Sequence, residues 1–514
     1  MTDMLPSCDI DRLSLTDVVA IAREGARVDC PAAVLARVAA GRERVERLAE
    51  SPHPAYGVST GFGALATVNI PPDRRAALQR SLIRSHAAGT GALLPTEVIR
   101  AMMALRLKTL ASGLTGVRTE VVETMAAVLN SGLTPAVRQY GSLGCSGDLA
   151  PLATVALVLT GEGEVLADTD STTRPAAGAL AEAGIAPLVY HEKEGLALIN
   201  GTEGMLGMLT LALADLTELL DLADITAAMS VEALLGTDRV FAADLNALRP
   251  QLGQQVSAAN LRRLLADSPI MASHRYDRTH IVQDAYSLRC APAVAGAARD
   301  TLAHARAVAE RELAATIDNP VVLPDGRVES NGNFHGAPVG YVLDFLAIAV
   351  ADVASMAERR IDKTLDRTRN AGLPPFLAHE VGVDSGYMIA QYAAADIVAT
   401  LKRLAVPASV DSIPSSAMQE DHVSMGWAAG LKLRAAIDGL RRVLAIELMT
   451  AGRALDLRAP LSPAPGTGAA LTALRTAVPG PGPDEVVSAQ IEAATALVAS
   501  GAVTRAVAAA IGPL

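Results

Sequence analysis

Residues 141–153, GSLGCSGDLAPLA, combine glycines that permit tight bends with side chains that can take part in chemistry. One interpretation is a turn leading into a helix, with Ser146 or Asp148 as the N-cap and Pro151 in the first turn. A serine-nucleophile elbow fits less well, because it needs Gly-x-Ser-x-Gly after a strand and the order here is Gly-Cys-Ser-Gly. Local pattern alone favours the capped turn.

A third interpretation has sharper chemistry. In a tight bend the Gly147 amide nitrogen can attack the carbonyl carbon of Cys145, and two waters leave, one of them from the Ser146 side chain. The product is 4-methylidene-imidazol-5-one (MIO), an electrophile that activates an amine without an external cofactor. Position 147 must be glycine because a Cβ would obstruct the approach, whereas Cys145 contributes only its backbone.

Other chemistries find little support. The sequence has neither a phosphate-binding Gly-x-x-x-x-Gly-Lys-Ser/Thr loop nor a Gly-x-Gly-x-x-Gly after a strand-like run. Its nine histidines form no His-Glu-x-x-His pair, and His274 and His280 have no third ligand nearby, so no metal is expected. The net charge of −11 argues against a nucleic-acid partner.

The elements that must position this chemistry are helices. The 514 residues are 50% hydrophobic but only 3% aromatic, and a core of small, straight-chain residues favours close-packed helices. Apolar periodicity and the spacing of breakers predict long helices at 202–236, 291–317, 339–372, 384–406 and 422–457. Glycine-rich short elements precede them. We therefore predict a mainly α fold, a long-helix bundle (196–514) with a smaller mixed N-terminal domain (1–195).

The sequence also indicates the cellular compartment of the protein. The cysteines at 8, 30, 145 and 290 show no disulfide or metal spacing, as expected in a reducing compartment. The N-terminus lacks the basic and apolar regions of a signal peptide. Aspartates interrupt apolar segments such as 205–214 and 345–351 before they reach the length of a membrane span. We expect a cytoplasmic protein with no membrane partner.

Several long motifs, in order, resemble the MIO-dependent ammonia-lyase and aminomutase family, and most closely its histidine ammonia-lyases. The resemblance covers about residues 13–457 and rests on YGVSTGFG (56–63), SHAAG (85–89), the 141–153 run, EGLALINGT (194–202), QDAYSLRC (283–290), NGNFH (331–335) and QEDHVSM (419–425). It implies MIO formed from Cys145, Ser146 and Gly147, an ammonia-lyase/fumarase-like helical architecture, and a homotetramer with active sites shared between subunits. The partner implied is a small-molecule substrate, an amino acid.

The resemblance also implies roles for individual residues. Tyr56 is the expected base for the β-hydrogen, which requires a depressed phenol pKa. Arg289, in a segment with Gln283 and Tyr286, is expected to bind the substrate carboxylate through a two-pronged pair. Asn200 is expected to orient the ring oxygen or the amine. Tyr286 is expected beside the ring, and Gln283 in the substrate pocket.

Four further residues complete the expected site. Phe334 should pack over the ring and Met388 should line the pocket, although each could equally be plain core. His86 could share a hydrogen bond with a substrate imidazole, and Glu420 could hold its other nitrogen or assist proton transfer. A lone helix histidine is more often structural, but Ser85-His86 resembles the histidine-specific pattern.

The sequence departs from the family pattern at three positions. Cys145 replaces a more common Ala, Glu203 replaces a frequent Gln, and Ala285 replaces Pro. Because cyclisation uses the backbone of residue 145, it should survive the first change. Asp421, His422 and Ser424 suggest a hydrolase triad, but near neighbours at a helix start point in different directions.

These patterns lead to one preferred function and two alternatives. The preferred function is a histidine ammonia-lyase giving trans-urocanate and ammonium, the first step of histidine degradation. A tyrosine or phenylalanine ammonia-lyase or 2,3-aminomutase is the alternative within the family. A non-catalytic helical scaffold in which residues 145–147 stay linear is the least favoured.

Overall fold

The chain is predominantly helical, and its strands are short. The structure, a computed structural model, describes residues 7–50, 57–61, 68–167, 172–276 and 283–514. Within them, strands occur as four two-stranded sheets: β1 (Ser7–Asp9) parallel to β2 (Arg27–Asp29), and the antiparallel pairs β3 (Thr90–Leu93) with β4 (Arg138–Tyr140), β5 (Glu164–Leu166) with β6 (Thr173–Pro175), and β7 (Val321–Val322) with β8 (Val328–Glu329).

Helices fall into a shorter N-terminal set and a longer set that follows. The first comprises α1 (Leu15–Val19), α2 (Ala32–Ala49), α3 (Arg75–His86), α4 (Thr96–Ala111), α5 (Thr119–Asn130), α6 (Leu149–Leu159), α7 (Ala176–Glu182) and α8 (Glu194–Ile199). The second comprises α9 (Glu203–Ala233), α10 (Ala243–Ala247), α11 (Leu252–Leu264), α12 (Pro269–His274), α13 (Tyr286–Arg289), α14 (Ala291–Ala314), α15 (Ala337–Leu365), α16 (Met388–Leu404), α17 (Gly426–Asp456), α18 (Pro465–Leu474), α19 (Val487–Ala499) and α20 (Ala502–Ile511). The predicted mainly α fold with long helices is confirmed.

The chain forms two compact units, each built from three stretches. The first contains Met1–Ala212, Arg306–Asp344 and Pro407–Leu431, and the second contains Leu213–Ala305, Phe345–Val406 and Lys432–Leu514. This division differs from the predicted single boundary after residue 195. Segments that return to the first unit late in the chain are the reason, because no single cut in a sequence can represent them.

Each of the five predicted long helices is present, and the ends differ by a few residues. Helix α15 stops at Leu365 instead of continuing to 372, because the Asp366 carboxylate accepts hydrogen bonds from Thr368 N (2.8 Å) and Thr368 Oγ1 (2.7 Å). Such local side-chain bonds offer the backbone an alternative to the helix.

Helix α15 also bears on the membrane prediction. Within the described ranges it is long and apolar enough to cross a membrane by length and composition alone, although Asp344 and Asp352 lie in it, so the expectation that aspartates keep the apolar stretch below span length does not hold here. However, 61% of its most apolar 18-residue window is buried in the protein, as in a core helix of a globular chain.

Candidate active site

The bend around residues 144–147 is held by segments from much later in the chain. Gly144 and Gly147 both adopt positive φ, +66° and +83°. The Gly144 carbonyl oxygen accepts hydrogen bonds from Ser424 Oγ (2.6 Å) and Gly336 N (3.1 Å). Residues 424 and 336 thus fix the backbone just before the tripeptide.

Gly147 packs directly on the backbone of Gly201. A Cβ on Gly147 would lie 2.2 Å from the Gly201 oxygen and 2.4 Å from its nitrogen, distances that real Cβ atoms do not reach. The next residue, Asp148, donates its N–H to the same Gly201 oxygen at 2.7 Å. Position 147 therefore needs glycine for this contact as well as for its φ angle.

The Asp148 side chain corrects the predicted cap. Asp148 immediately precedes α6, but its carboxylate makes no capping bond to that helix. Instead, it accepts hydrogen bonds from Ser142 Oγ (2.8 Å) and from Met205 N (2.9 Å), in the first turn of α9. Full burial raises the pKa of Asp148 to about 7, against the opposing effect of these two donors.

Glu420 is the main polar partner of the tripeptide. Its Oε1 accepts a hydrogen bond from Ser146 Oγ at 2.7 Å, and its Oε2 accepts from Cys145 Sγ (3.2 Å) and Ser415 Oγ (2.9 Å). Burial raises the pKa of Glu420, but these three donors, together with the nearby His86, bring it below its ordinary value. Glu420 is therefore an ionised acceptor at neutral pH.

The Cys145 thiol responds to the same surroundings in the opposite direction. Burial and the adjacent Glu420 carboxylate raise the pKa of Cys145 to about 12. The thiol consequently stays protonated and acts as a weak donor to Glu420.

The loop that carries Glu420 is strained. Ser416, Ala417 and Met418 all have positive φ (52°, 52° and 69°), although none is glycine. A backbone bridge between Ser415 and Glu420 closes this loop, with Ser415 N bonded to Glu420 O at 2.8 Å. Residues in this region cost about 1–3 kcal/mol each and persist where surrounding contacts hold them, often at functional sites.

Asn200 is fixed beside the bend by a backbone partner. Its side-chain Nδ2 donates to Asn319 O at 2.9 Å. Its Oδ1 is buried and makes no hydrogen bond with any residue that the structure describes. An unsatisfied buried acceptor is costly, so this oxygen is a site for a donor from a ligand.

Buried charges lie behind Asn200 and Gly201. Arg106 is fully buried and donates to Glu203 Oε1 (2.8 Å) and to Asn200 O (3.3 Å). Lys193 and Asp318, both also fully buried, form an ion pair at 2.5 Å. Glu203, one of the departures from the family pattern, thus serves as the counter-ion of Arg106.

His86 is the last residue of α3, and its tautomer follows from its contacts. Nδ1 lies 2.9 Å from Leu82 O and 3.0 Å from Ser85 Oγ. Because a carbonyl oxygen can only accept, Nδ1 carries a proton and donates to Leu82 O, and in the neutral ring Nε2 is therefore an acceptor.

Phe334 is half-buried in the turn between β8 and α15. Asn331 anchors this turn, because its Nδ2 donates to Asp318 O at 2.9 Å and its N–H to Asn319 Oδ1 at 3.0 Å. His335, the residue after Phe334, stacks on His422 with ring centroids 5.7 Å apart. In this arrangement Ser424 is a donor to Gly144 and does not form a hydrolase triad with His422.

The remaining predicted residues lie in the second unit or outside the described ranges. Gln283 is exposed, and Tyr286 is 69% exposed with the Arg289 guanidinium 4.7 Å from its ring centre. Met388, at the start of α16, lines a cavity of about 540 Å³ with Asp362, Leu365, Asp366, Arg367, Thr368, Arg369, Pro375, Phe376, Gln391 and Tyr392. Tyr56 is outside the described residues.

No metal centre occurs in the part of the chain that the structure describes, where no group of three or more His, Cys, Asp or Glu residues could hold an ion. His274, considered above as a ligand, has both ring nitrogens against carbonyl oxygens, those of Ile270 (3.0 Å) and Gly236 (2.8 Å). His280 is outside the described residues.

The sequence profile described as aromatic amino acid lyase matches residues 13–476. The chain belongs to this family. It is 61% identical over 503 residues to a histidine ammonia-lyase of Streptomyces avermitilis, and the match covers 98% of each chain. The predicted family and the assignment as a carbon–nitrogen lyase are confirmed.

Solved structures of other lyases and of aminomutases share the whole fold. A tyrosine aminomutase from Streptomyces globisporus is 37% identical with a TM-score of 0.94, covering 99% of both chains. A histidine ammonia-lyase from Trypanosoma cruzi is 36% identical with a TM-score of 0.90, covering 99% of this chain and 96% of the other. The helical architecture is thus that of the family.

Sequence reasoning missed several residues that position the site. Ser415, Asp148, Arg106 and Asn319 contact the tripeptide, its carboxylate partner or the Asn200 turn. Ser424 was considered only as a triad member. A buried arginine in an apolar helix such as α4 is the one sequence signal that could have pointed to the charged group behind Gly201.

Proposed function

We propose that the protein is a histidine ammonia-lyase that converts L-histidine to trans-urocanate and ammonium, the first step of histidine degradation. The observation that carries this proposal is that the Glu420 carboxylate contacts the reactive tripeptide and that His86 lies near Glu420. The high identity to a relative named histidine ammonia-lyase supports it.

The prosthetic group in this proposal is MIO, formed from Cys145, Ser146 and Gly147, with no external cofactor. Residues at the bend fit it: the two glycines at 144 and 147 have positive φ, and Gly147 packs on Gly201 with no room for a Cβ. The unpaired Asn200 Oδ1 can accept a hydrogen bond from the substrate amine. When formed, the ring supplies an electrophile that activates the substrate amine as a leaving group. The chain's own residues must do the remaining work.

That work divides between binding and proton transfer. Arg289 binds the substrate carboxylate, and its side-chain Nε makes no hydrogen bond within the described ranges. Tyr56 removes the β-hydrogen as the general base. His86 Nε2 accepts an N–H from the substrate imidazole, and Glu420 accepts from its other nitrogen when that ring is protonated, or takes up a proton.

Five residues complete the proposed site. Tyr286 supports the ring, and Asn200 orients its oxygen or the bound amine. Gln283 and Phe334 border the substrate, and Met388 lines the wall of the pocket. The half-buried states of Phe334 and Met388 leave apolar surface for a substrate side chain.

The second candidate is a tyrosine or phenylalanine ammonia-lyase or 2,3-aminomutase. The likeness to a tyrosine aminomutase over 99% of both chains favours it. The two candidates share the electrophile and differ in the side chain they recognise and in the fate of the amine.

A homotetramer with shared active sites and a cytoplasmic location are part of the proposal. Phe345 and Ile348 on α15 are each 46% exposed, and Ile389 and Tyr392 on α16 are 60% and 63% exposed. Apolar pairs of this kind are typical of surfaces that contact another chain. The small-molecule substrate requires neither nucleic acid nor a membrane.

A product assay tests the function. The purified protein is incubated with L-histidine, L-tyrosine and L-phenylalanine, and ammonium, near-UV absorbance and β-amino acids are measured. Ammonium and a rise in absorbance with histidine support the proposal, and Ser146→Ala should abolish them while leaving the fold intact. Turnover of tyrosine or phenylalanine alone would select the second candidate, and no turnover of any substrate would favour a scaffold.

A further inference from the structure

We propose that Glu420 is the proton carrier that allows the Ser146 hydroxyl to leave as water when the tripeptide cyclises. This role in maturation is separate from any role that Glu420 has with substrate. It rests on the proposed function only in requiring that MIO forms.

Geometry places Glu420 on the atom that must depart. Ser146 Oγ lies 2.7 Å from Glu420 Oε1, within the range for proton transfer along a hydrogen bond. The other carboxylate oxygen is held by Cys145 Sγ and Ser415 Oγ. Glu420 is thus oriented on two adjacent residues of the tripeptide.

The surrounding loop keeps this orientation. Residues 416–418 hold a strained left-handed backbone, and the Ser415–Glu420 bridge closes the loop. Because relaxing the strain would move Glu420, contacts elsewhere must hold it. Ser146 and Glu420 are 274 residues apart in sequence, so the chain brings them together only on folding.

The chemistry balances with one proton relayed by Glu420. The Gly147 nitrogen bonds to the Cys145 carbonyl carbon, and the carbonyl oxygen leaves as one water with the protons of the Gly147 and Ser146 N–H groups. Ser146 loses its Cα proton and its hydroxyl, which forms the Cα–Cβ double bond and the second water. The hydroxyl needs one proton to leave, and the Cα–H bond releases one, so no oxidant or other reagent is required.

Other groups near the bend are less suited to this transfer. The Asp148 carboxylate accepts hydrogen bonds from Ser142 Oγ and Met205 N and makes none with Ser146 Oγ, which donates to Glu420. The Cys145 thiol is protonated and donates to Glu420. An ionised Glu420 can first take up a proton and then return it to Ser146 Oγ.

The test measures ring closure itself and not only turnover. Wild-type chain and Glu420→Gln are synthesised in a cell-free system and quenched at intervals, and the mass of the peptide containing residues 141–153 is followed for the loss of two waters. Glutamine keeps a side-chain acceptor but cannot carry the proton, so closure should slow about 100-fold. Glu420→Asp, which keeps a carboxylate, should close faster than Glu420→Gln.

Glu232→Gln is the matched control. Glu232 is also a buried carboxylate that accepts hydrogen bonds from hydroxyl groups, those of Ser268 and Thr467, but it lies in the second unit. The tripeptide ring of the Glu232→Gln variant should close at the wild-type rate. Far-UV circular dichroism of each product verifies that it folds, and if Glu420→Gln fails to fold, the comparison is made between Glu420→Asp and wild type.

The outcomes separate this inference from the proposed function. Loss of both waters at the wild-type rate in Glu420→Gln overturns the role in maturation, even if turnover is lost. A wild-type chain that never loses two waters overturns the proposed function itself. Slow closure in Glu420→Gln with normal closure in Glu232→Gln supports the inference.

Discussion

Arg360 and Glu447 form a two-pronged ion pair in the interior of the second unit, with Nε–Oε1 at 2.5 Å and Nη2–Oε2 at 2.9 Å. Both residues are buried, at 2% and 0% exposure. The third guanidinium nitrogen of Arg360 donates to the carbonyl oxygen of Ser287 at 3.2 Å. Ser287 lies in α13 between Tyr286 and Arg289, so the pair fixes the short helix that carries the proposed carboxylate ligand.

Replacing Arg360 with Met should therefore impair both stability and substrate binding. The substitution leaves the Glu447 carboxylate buried without its cation, which costs about 3–5 kcal/mol. It also frees α13, so KM for the amino acid should rise more than kcat falls. Thermal unfolding and steady-state kinetics measure the two effects.

A surface arginine provides the control. Arg442 on α17 pairs with the exposed Asp438 and Glu492, so Arg442→Met should cost no more than about 1 kcal/mol and leave KM unchanged. The double variant Arg360→Met/Glu447→Gln should recover part of the lost stability, because the uncompensated carboxylate is gone. An unchanged KM in a folded Arg360→Met would contradict the positioning role.

Glu203 is predicted to tolerate its amide isostere but not truncation. Its Oε1 accepts from Arg106 Nη1 and Thr109 Oγ1, both at 2.8 Å, and the carbonyl oxygen of glutamine can do the same. Glu203→Ala leaves the buried Arg106 Nη1 and Thr109 Oγ1 without this acceptor and should cost about 1–3 kcal/mol more than Glu203→Gln. Urea unfolding of the two variants gives the difference, and equal midpoints would show that the pair contributes nothing.

Helix existence was predictable from sequence because it depends on local periodicity, but helix ends depended on remote partners. Helix α17 begins at Gly426 instead of residue 422, since Ser424 Oγ bonds to Gly144 O and Met425 N bonds to Leu143 O. Those partners are about 280 residues away in sequence. No local pattern contains that information.

The candidate site also combines features that local sequence predicts with contacts to remote residues that it does not predict. The motif around residues 141–153 identified the reactive tripeptide, since its chemistry depends on consecutive residues. The Glu420 contact to Ser146 could be expected only from the family resemblance, and the Asp148 contact to Met205 was not expected at all. A sequence predicts an N-cap for the helix that follows the capping residue directly, here α6. The Asp148 side chain instead caps α9, which begins 55 residues later.

Asp148 should make stability depend on pH. Burial raises its pKa from 3.8 to about 7 in the folded chain. Below pH 3.8, the pKa of Asp148 in the unfolded chain, the carboxyl group is protonated in both the folded and the unfolded chain. Between pH 3.8 and about 7 only the folded state holds the proton, so this group's stabilising contribution is lost as pH rises through that window, by at most about 1.4 kcal/mol per pH unit.

The comparison of wild type with Asp148→Asn isolates that contribution. Asparagine does not titrate, so the Tm of the variant should fall less steeply than that of wild type as pH rises from about 5 to about 7. Above about pH 7 the two Tm curves should have the same slope. Differential scanning calorimetry over this range gives both curves. Parallel curves throughout would mean that Asp148 is ionised in the folded chain.

Gly147→Ala should prevent the tripeptide from adopting its bend. The added Cβ would lie 2.2 Å from Gly201 O, at a φ of +83° that alanine rarely adopts, and the atoms it meets are backbone atoms that cannot move aside. The expected result is a chain that folds in its other parts but does not lose two waters, with turnover reduced below detection.

Gly178→Ala is the matched control, because Gly178 lies within α7 with no neighbouring atom within 4 Å of the new Cβ. It should close normally and gain about 0.5–1 kcal/mol from the better helix propensity of alanine. Peptide mass and Tm distinguish the two variants, and normal ring closure in Gly147→Ala would show that the contact with Gly201 is not required for the bend.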